Sequence, residues 1–437
     1  MSKSASLGRS NLVHPRSGLW PVARQISVAS IALMLLSSIP LANAATAGKA
    51  LFIDVQNPPA AASVGQTKKL EQLKKEKTTA GLQLVNIDVA ALAGESIQMQ
   101  LDPSRNLTYV KTRIEQHGAN NFIWFGTHAG GLGTAILVVR NNIVTGSVNY
   151  DGKLYKIESV GDGVHAFIEI NIDAFPKDHP AQLADRRRST TTTPTPTTTT
   201  TTTPTTAAGT ASMTADGKAI IDVLVAYPST VTAAVADVAS LITLAVAETN
   251  QAYVNSGARI YMNLIGTMAI PYSETGKDYP TMLSDLAAMP DVKTKRDTLG
   301  ADVVVMLSTN STYCGYAYLG PYAANAFGVV NKSCATGYYS FGHEIGHMQG
   351  LNHDPIASPG TTPYAYGHGY QSSNASPSWR TIMAYNCSPS CSRLQYFSNP
   401  NLNYNGLAMG TPTVSDNTRV LNETAATVSA FRSRPVP

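Results

Sequence analysis

The sequence predicts an α/β (α+β) protein in two parts: a C-terminal domain with a mostly parallel twisted sheet and, before it, a mainly antiparallel β domain. Short alternating strands with hairpin turns fill residues 45–185, whereas strands alternate with helical segments over residues 213–437. Between them, residues 186–212 are rich in Arg, Thr and Pro, a composition that cannot bury apolar surface. We therefore expect a linker there, and its three arginines (186–188) offer a processing site.

Residues 1–44 are typical of a secretory signal peptide. Four basic residues and no acidic residue precede the apolar run "ISVASIALMLLSSIPLANA", which ends on small residues. Its uninterrupted apolar part spans about fifteen residues, fewer than the roughly twenty that a membrane-spanning helix needs. We expect cleavage after Ala44 and a mature protein without a membrane anchor, secreted to the periplasm or outside the cell. An uncleaved anchor is the alternative.

The predicted β domain, 45–185, contains five runs in which apolar and polar residues alternate. They are "FIWFGTH", "TAILVVR", "IVTGSVNY", "KLYKIESV" and "HAFIEIN", separated by the turn sequences "GGLG", "NN", "DGK" and "GDG". This pattern favours an antiparallel meander. The four histidines of the segment are isolated from one another, so we expect surface or hydrogen-bonded roles, not metal binding, for His117, His128, His165 and His179.

The C-terminal domain, 213–437, alternates β-branched runs with helical patterns, which indicates a mostly parallel sheet. The predicted strands are 219–227, 259–270 and 301–308, and the predicted helices are 235–255, a segment around 283–286, and 291–299. We interpret "AFGVVNKS" (326–333) as a short strand at the sheet edge. A final amphipathic helix is expected after Ser415 or Asp416, either of which could cap it.

The charge distribution argues against a nucleic-acid partner. The whole chain has a net charge of +4, but residues 213–437 carry 12 Lys and Arg against 14 Asp and Glu, a net of −2. With 43% hydrophobic and 14% charged residues, the chain otherwise has an ordinary globular composition.

The four cysteines all lie in the last third of the chain. An even number in an exported protein indicates two disulfides. Of the three possible pairings we favour the two that close short loops, Cys314 with Cys334 and Cys387 with Cys391.

The stretch "FGHEIGHMQGLNHD" (341–354) concentrates three of the nine histidines. His343 and His347 are four apart on a predicted helix and share one face, as two ligands of one metal ion must. A glycine at position 350 can end the helix in a left-handed conformation and return His353 as a third ligand. Three protein ligands leave a position for water, which predicts one catalytic Zn2+ ion, and Glu344 beside it can take a proton from that water.

These residues resemble a known family: "HEIGHMQGLNH" matches the H-E-x-x-H-x-x-G-x-x-H signature of the metzincin zinc endopeptidases. Asp354, directly after the third histidine, is similar to the adamalysin or reprolysin branch. In "TIMAYNC", Met383 resembles the Met-turn methionine that forms an apolar floor under the ligands. The resemblance covers about 213–437, and this segment is similar to the bacterial peptidyl-aspartate metallopeptidases.

The resemblance implies a secreted zinc endopeptidase that acts on proteins or peptides and is made as a proenzyme, with 45–185 as propeptide and intramolecular inhibitor. Tyr385, placed as in astacins and serralysins, would stabilise the oxyanion or simply pack. No cysteine precedes Cys314, so a propeptide thiolate cannot block the metal. A carboxylate, a backbone group or plain occlusion must then do so. We expect a monomer, and calcium support of the fold stays open.

The sequence also bears on how a substrate would bind and on other functions. A peptide could add as a strand to "AFGVVN", which would accept many sequences. The resemblance favours cleavage beside acidic residues, but no basic residue can be assigned to such a pocket, and Arg380 is expected to be an ordinary surface residue. The alternative function is an exported zinc-containing binding or adhesion protein without turnover. Alternatively, the first segment could be a carbohydrate- or surface-binding domain.

Overall fold

The computed structural model of the chain describes residues 48–56, 63–180 and 211–435. The predicted signal peptide 1–44 and most of the predicted linker 186–212 lie outside the described residues. Among the described residues, no helix combines the length and the apolar character needed to cross a bilayer.

The N-terminal part is built on one ten-stranded sheet. Its strands are β1 (Lys49–Ala50), β2 (Phe52–Gln56), β3 (Thr79–Ile87), β4 (Ser96–Asp102), β5 (Arg105–Gln116), β6 (Asn121–His128), β7 (Gly133–Arg140), β8 (Ile143–Tyr150), β9 (Lys153–Gly161) and β10 (Val164–Ile170). Strands β4 to β10 pair antiparallel in chain order, and β3 and β2 follow β10. Because β1 pairs with β4 and β2 with β3, residues 49–56 join the two ends of the sheet. The β-rich N-terminal domain is confirmed.

The Lys-rich stretch at the start of this domain forms a helix that the sequence analysis did not predict. Helix α1 (Val64–Lys75) begins at Ser63, whose hydroxyl accepts from the backbone of Gln66 while the Gln66 side chain accepts from the backbone of Ser63. The helix buries Leu70 and Leu73. Its polar positions outnumber its apolar ones, so the helical periodicity was weak.

The C-terminal part contains a five-stranded sheet and six helices of the described chain. The main sheet has the order β12-β11-β13-β15-β14, in which the first four strands run parallel and β14 antiparallel. The strands are β11 (Ala219–Pro228), β12 (Ile260–Ile270), β13 (Val303–Ser308), β14 (Gly315–Ala317) and β15 (Phe327–Asn331), followed by the short β16 (Gln371–Ser372), β17 (Trp379–Arg380), β18 (Ser392–Arg393), β19 (Asn399–Tyr404) and β20 (Leu407–Met409). The helices are α2 (Ser229–Ala234), α3 (Val238–Ser256), α4 (Tyr279–Ala288), α5 (Pro290–Leu299), α6 (Ser340–Met348) and α7 (Asn417–Val428).

Local signals set the ends of these helices. Asp237 caps α3, which ends at Gly257 in the left-handed conformation with φ 75°. Asp416, one of the two predicted residues, caps α7 through a hydrogen bond from Arg419 N. The mixed α/β architecture is confirmed.

The expected edge strand is not at the edge. β15 lies between β13 and β14, and all five of its residues are buried. The edge is β14, which pairs antiparallel with β15 through Gly315–Ala317. The prediction was wrong because β14 is only three residues long and gives almost no periodic signal. An extended peptide would therefore add to β14 and not to "AFGVVN".

Both predicted disulfides are present. Cys314 pairs with Cys334 and Cys387 with Cys391. The first lies directly before β14, so it ties the edge of the sheet to the segment that leads into α6.

The two parts share an apolar interface centred on α3. Four side chains of the N-terminal sheet, from Ile123, Phe125, Ile136 and Val138, form one buried cluster with two residues of that helix, Leu244 and Ala247. A second cluster joins Leu70, Leu154 and Phe175 to the Cys314–Cys334 disulfide and Tyr338. Each part also has a core of its own.

A buried carboxyl group lies in the same interface. Glu248 on α3 accepts from the hydroxyl of Ser147 at 2.5 Å and from the backbone of Gly337 at 2.8 Å. Burial raises the pKa of Glu248 to about 7, although Lys156 opposes the shift. The neutral carboxyl is thus the form that the folded interface favours.

We expect the stability of the full chain to fall as the pH rises from 4.5 to 7. The folded state holds the Glu248 proton over this range and the unfolded state releases it, so the free energy of unfolding decreases by on the order of 3 kcal/mol. Glu248→Gln should flatten this part of the profile in urea unfolding measured at several pH values. Glu71→Gln, on the exposed side of α1, is the control and should keep the wild-type slope. An equally steep slope in Glu248→Gln would contradict the assignment.

Candidate metal centre and active site

Helix α6 carries the first two histidines of the predicted site into the interior. All nine of its residues are buried. His343 and His347 lie on one face, and their Nε2 atoms are 3.1 Å apart. The helix therefore presents two nitrogen donors to one point, as the four-residue spacing predicts.

The third histidine arrives through a turn at Gly350. This glycine has φ 100°, a conformation that side chains with a Cβ rarely adopt, and a Cβ there would lie 2.8 Å from the ring of Tyr364. After the turn, the Nε2 atom of His353 lies 3.2 Å from that of His343 and 3.0 Å from that of His347.

These three nitrogens fit a metal ion. The Nδ1 atom of His347 lies 2.8 Å from the carbonyl oxygen of Leu351, so Nδ1 carries the proton and Nε2 a lone pair. Burial lowers the pKa of all three rings, that of His347 to about 3, so the rings are neutral. Nitrogens bound tetrahedrally to one ion at about 2.0 Å lie about 3.3 Å apart, close to the observed spacing.

Glu344 lies beside this cluster, fully buried. Its Oε2 has no hydrogen-bond partner, and a Cβ at Gly315 on the edge strand would lie 2.3 Å from its Oε1. Gly315 thus leaves the carboxylate room between α6 and β14. Burial raises the pKa of Glu344 well above its usual value, Asp178 adds to the rise and Arg393 opposes it. A divalent cation nearby would act in the same direction as Arg393.

Three further residues pack around the cluster: Met383, Asp354 and Tyr385. The sulfur of Met383 would meet a Cβ at Gly346 at 2.8 Å, so the methionine packs against α6 between its two histidines. Asp354 accepts from the backbone of Tyr385 at 3.0 Å, which ties the segment after His353 to the Met383 turn. The Tyr385 ring lies 4.4 Å from that of His353, and its hydroxyl is buried without a hydrogen-bond partner.

A fourth histidine, His179, joins the cluster, contrary to the expected surface role. Its ring is fully buried and packs 4.9 Å from that of His353 and 5.2 Å from that of His347. One ligand atom from each of the four histidines lies within 4.8 Å of the others. The Nδ1 atom of His179 faces the carbonyl oxygen of Pro180 at 3.3 Å. This leaves the Nε2 lone pair of His179 directed inward, 3.9 Å from Glu344 Oε2.

His179 could not be assigned from the sequence, because it is distant in the chain from the other three histidines and has no histidine near it. The available signal was its position, seven residues before the start of the predicted linker that leads into the C-terminal domain. Two other histidines of this domain behave as expected, since His117 is exposed and His165 accepts a hydrogen bond from Val144 N.

Arg380 is not a surface residue. Its side chain is 1% exposed, and that of Arg393, which sequence reasoning did not single out, is 2% exposed. The two are register partners on the parallel strands β17 and β18, and both lie near the carboxylate of Asp178. The prediction failed because their short strands give no periodicity that would indicate burial.

Comparison with known proteins agrees with this geometry. Residues 217–398 match the Reprolysin_5 model of metallo-peptidase family M12. A peptidyl-Asp metalloendopeptidase of Xanthomonas campestris pv. campestris is 38% identical over 433 residues, 93% of this chain and 98% of the relative. The chain belongs to metallopeptidase family M12.

Other relatives extend the match. A peptidyl-Asp metalloendopeptidase of Stenotrophomonas maltophilia is 38% identical over 434 residues, 94% of this chain and 100% of the relative. The solved metalloproteinase-II of Bacteroides fragilis covers 64% of this chain and 84% of its own at 9% identity and a TM-score of 0.35, too low for a comparison of architecture. Membership of family M12 and these relatives confirm the expectation of a metalloendopeptidase.

We expect Gly350→Ala to lower both stability and metal binding. A non-glycine residue in this conformation costs about 1–3 kcal/mol, and the new methyl group would push on Tyr364 and displace His353. Thermal unfolding and bound metal per chain, measured by elemental analysis, check this. Gly360→Ala is the matched control, because nothing lies within 4 Å of a Cβ there. Equal stability and metal content in the two variants would contradict the role of Gly350.

Proposed function

We propose that the chain is a secreted zinc endopeptidase, made as a precursor whose N-terminal domain blocks the active site. One observation carries the proposal: the Nε2 atoms of His343, His347 and His353 converge within 3.2 Å beside the carboxylate of Glu344. Three imidazoles suit zinc, and an arrangement of three protein ligands leaves a position for water.

The residues of the site divide the chemistry of peptide hydrolysis between them. Zinc, when bound, polarises the scissile carbonyl and makes water acidic enough to attack near neutral pH. Glu344 would accept the proton of the attacking water and pass it to the leaving amine. The Tyr385 hydroxyl, buried and without a partner, would donate to the oxyanion that develops. Met383 and Asp354 would position the ligands without touching the substrate.

The edge strand β14 supports a way for an extended substrate to bind. Residues 176–180 pass beside it: the carbonyl oxygen of Lys177 accepts from Cys314 N, directly before the strand, at 3.1 Å, and the His179 ring lies 4.8 Å from that of Tyr316 within it. A substrate would use the same backbone groups. Because backbone hydrogen bonds do not depend on the side chains, many different sequences could be accepted. We take from the names of the relatives that cleavage occurs beside Asp residues.

Latency in the precursor would come from His179. Its inward Nε2 would complete four nitrogen ligands and take the position of the water, so the thiolate found in some zymogens is not needed. The apolar contacts of α3 with the N-terminal sheet would hold the inhibitor in place. Processing in the linker 186–212 would then release the domain.

The remaining features agree with export of a single chain. Two disulfides persist in oxidising compartments, either a periplasm or the extracellular medium. We propose a monomer, and no feature of the described residues calls for calcium.

Glu344→Gln should lower kcat for casein or peptide hydrolysis by about 10²–10⁴-fold while zinc stays bound, because the general base is lost and the ligands are kept. Zinc content is measured on the same samples. Glu423→Gln, half-exposed on α7, is the control and should keep full activity. An exported binding or adhesion protein without turnover predicts equal absence of hydrolysis in wild type and both variants, including after linker processing.

His179→Ala should convert the precursor from four nitrogen ligands to three plus water. The measurement uses the full chain with Glu344→Gln, because this variant cannot process itself. With cobalt in place of zinc, the visible spectrum reports the loss of the nitrogen ligand. In the chain with Glu344 intact, we expect unprocessed protein to gain activity on a short peptide. His117→Ala, an exposed histidine of the same domain, should change neither readout. An unchanged cobalt spectrum in His179→Ala would exclude His179 as a ligand.

A further inference from the structure

We infer that Arg380 and Arg393 form the subsite that recognises an acidic substrate side chain beside the scissile bond, and that Asp178 occupies this subsite in the precursor. The inference rests on the proposed endopeptidase function and deepens it, since it assigns the residues that select the substrate.

The arginine pair is an unusual electrostatic arrangement. Arg380 and Arg393 are directly opposite each other on neighbouring strands, a position in which like charges repel. Both guanidinium groups are almost wholly buried, where a charge without a counter-ion is costly. Burial and the charge of Arg393 lower the pKa of Arg380. Such a pair needs an anion.

Within the described residues, the carboxylate that meets this need comes from the N-terminal domain. Asp178 Oδ2 lies 3.3 Å from Arg393 Nη2 and 3.7 Å from Arg380 Nη1. Within the described C-terminal residues, 211–435, no side chain forms an ion pair with either arginine. When the N-terminal domain leaves, the two arginines lose the anion that pairs with them. The pair is then open to a carboxylate from another chain.

The protein itself holds both guanidinium groups in place. Arg380 donates to Ala384 O and, at 2.7 Å, to the hydroxyl of Tyr338. Arg393 donates to the carbonyl oxygens of Ile382 at 2.9 Å and Tyr338 at 3.1 Å. These bonds come from the C-terminal part alone, so the subsite is preorganised and does not depend on Asp178 for its shape.

The subsite adjoins the reacting groups. Arg393 Nη2 lies 2.8 Å from Nδ1 of His343, on the side of the ring away from the histidine cluster. Asp178 is followed directly by His179, whose ring reaches the cluster while the Asp178 carboxylate reaches the arginines. Two consecutive residues therefore span the distance from the metal centre to the pair. An acidic substrate residue in the subsite would stand next to the bond being cut.

The test compares two fluorogenic peptides that differ only in one Asp or Asn, with the secreted zinc-loaded enzyme. We expect kcat/KM of wild type to favour the Asp peptide by about 10²-fold, the cost of leaving a buried charge pair incomplete. Arg380→Gln and Arg393→Gln should each reduce this ratio to less than tenfold, through a lower kcat/KM for the Asp peptide. Arg393→Lys should retain more of the ratio than Arg393→Gln.

Arg419→Gln is the matched control, because Arg419 pairs with a carboxylate on the surface of α7 with half its side chain exposed. It should keep the wild-type ratio. Equal hydrolysis of both peptides by wild type overturns the inference while the endopeptidase function stands. The inference is equally overturned by Gln variants that have wild-type zinc content and melting temperature and keep the wild-type ratio.

A second measurement keeps both arginines and needs no catalysis. In the full chain with Glu344→Gln, Asp178→Asn should lower the melting temperature, because the buried guanidinium groups lose their counter-ion. Asp297→Asn, which removes an exposed partner of Arg432, is the control and should change the melting temperature little. If wild type cleaves neither peptide, the proposed function fails, and this measurement still tests the pairing of Asp178 with the arginines. An unchanged melting temperature in Asp178→Asn overturns that pairing.

Discussion

The structure depends on one constraint: the Nε2 atoms of three neutral imidazole rings are held within 3.2 Å of one another in the protein interior. Lone pairs at this distance repel unless a cation lies between them, so the surrounding fold must hold the rings together. Helix α6 does this for two rings by being buried along its whole length, and the Gly350 turn does it for the third. Metal binding and correct folding of residues 340–353 are therefore linked.

A second electrostatic demand lies beside the first. Two buried guanidinium groups on β17 and β18 require an anion, just as the histidines require a cation. In the described chain one dipeptide, Asp178–His179, lies at both: the carboxylate faces the arginines and the imidazole faces the histidines. Under the proposed function, the arginines and histidines that hold the N-terminal segment are also the residues that select and cleave the substrate. On this proposal Asp178–His179 would bind as a substrate does, with the His179 nitrogen in the place of water.

The interface that delivers this dipeptide is mostly apolar, with a few buried polar groups. The N-terminal sheet packs on α3, and Glu248 lies within the contact, bonded to Ser147 and to the backbone of Gly337. Such a group costs little while it stays neutral and more once it ionises. We therefore expect the pH to affect the contact between the N-terminal sheet and α3.

The sequence by itself determined the local features. The spacing of His343, Glu344, His347 and His353, the glycine that turns the chain and the even cysteine count predicted the metal site and both disulfides, because helical period and turn chemistry act over a few residues. The tertiary structure alone decided the long-range ones. It brought His179 to histidines more than 160 residues away in the chain, buried Arg380 and Arg393 together, and put β14 rather than β15 at the sheet edge. Such contacts depend on how sheets pack and which strands pair, and that information is not carried by the pattern of any single segment.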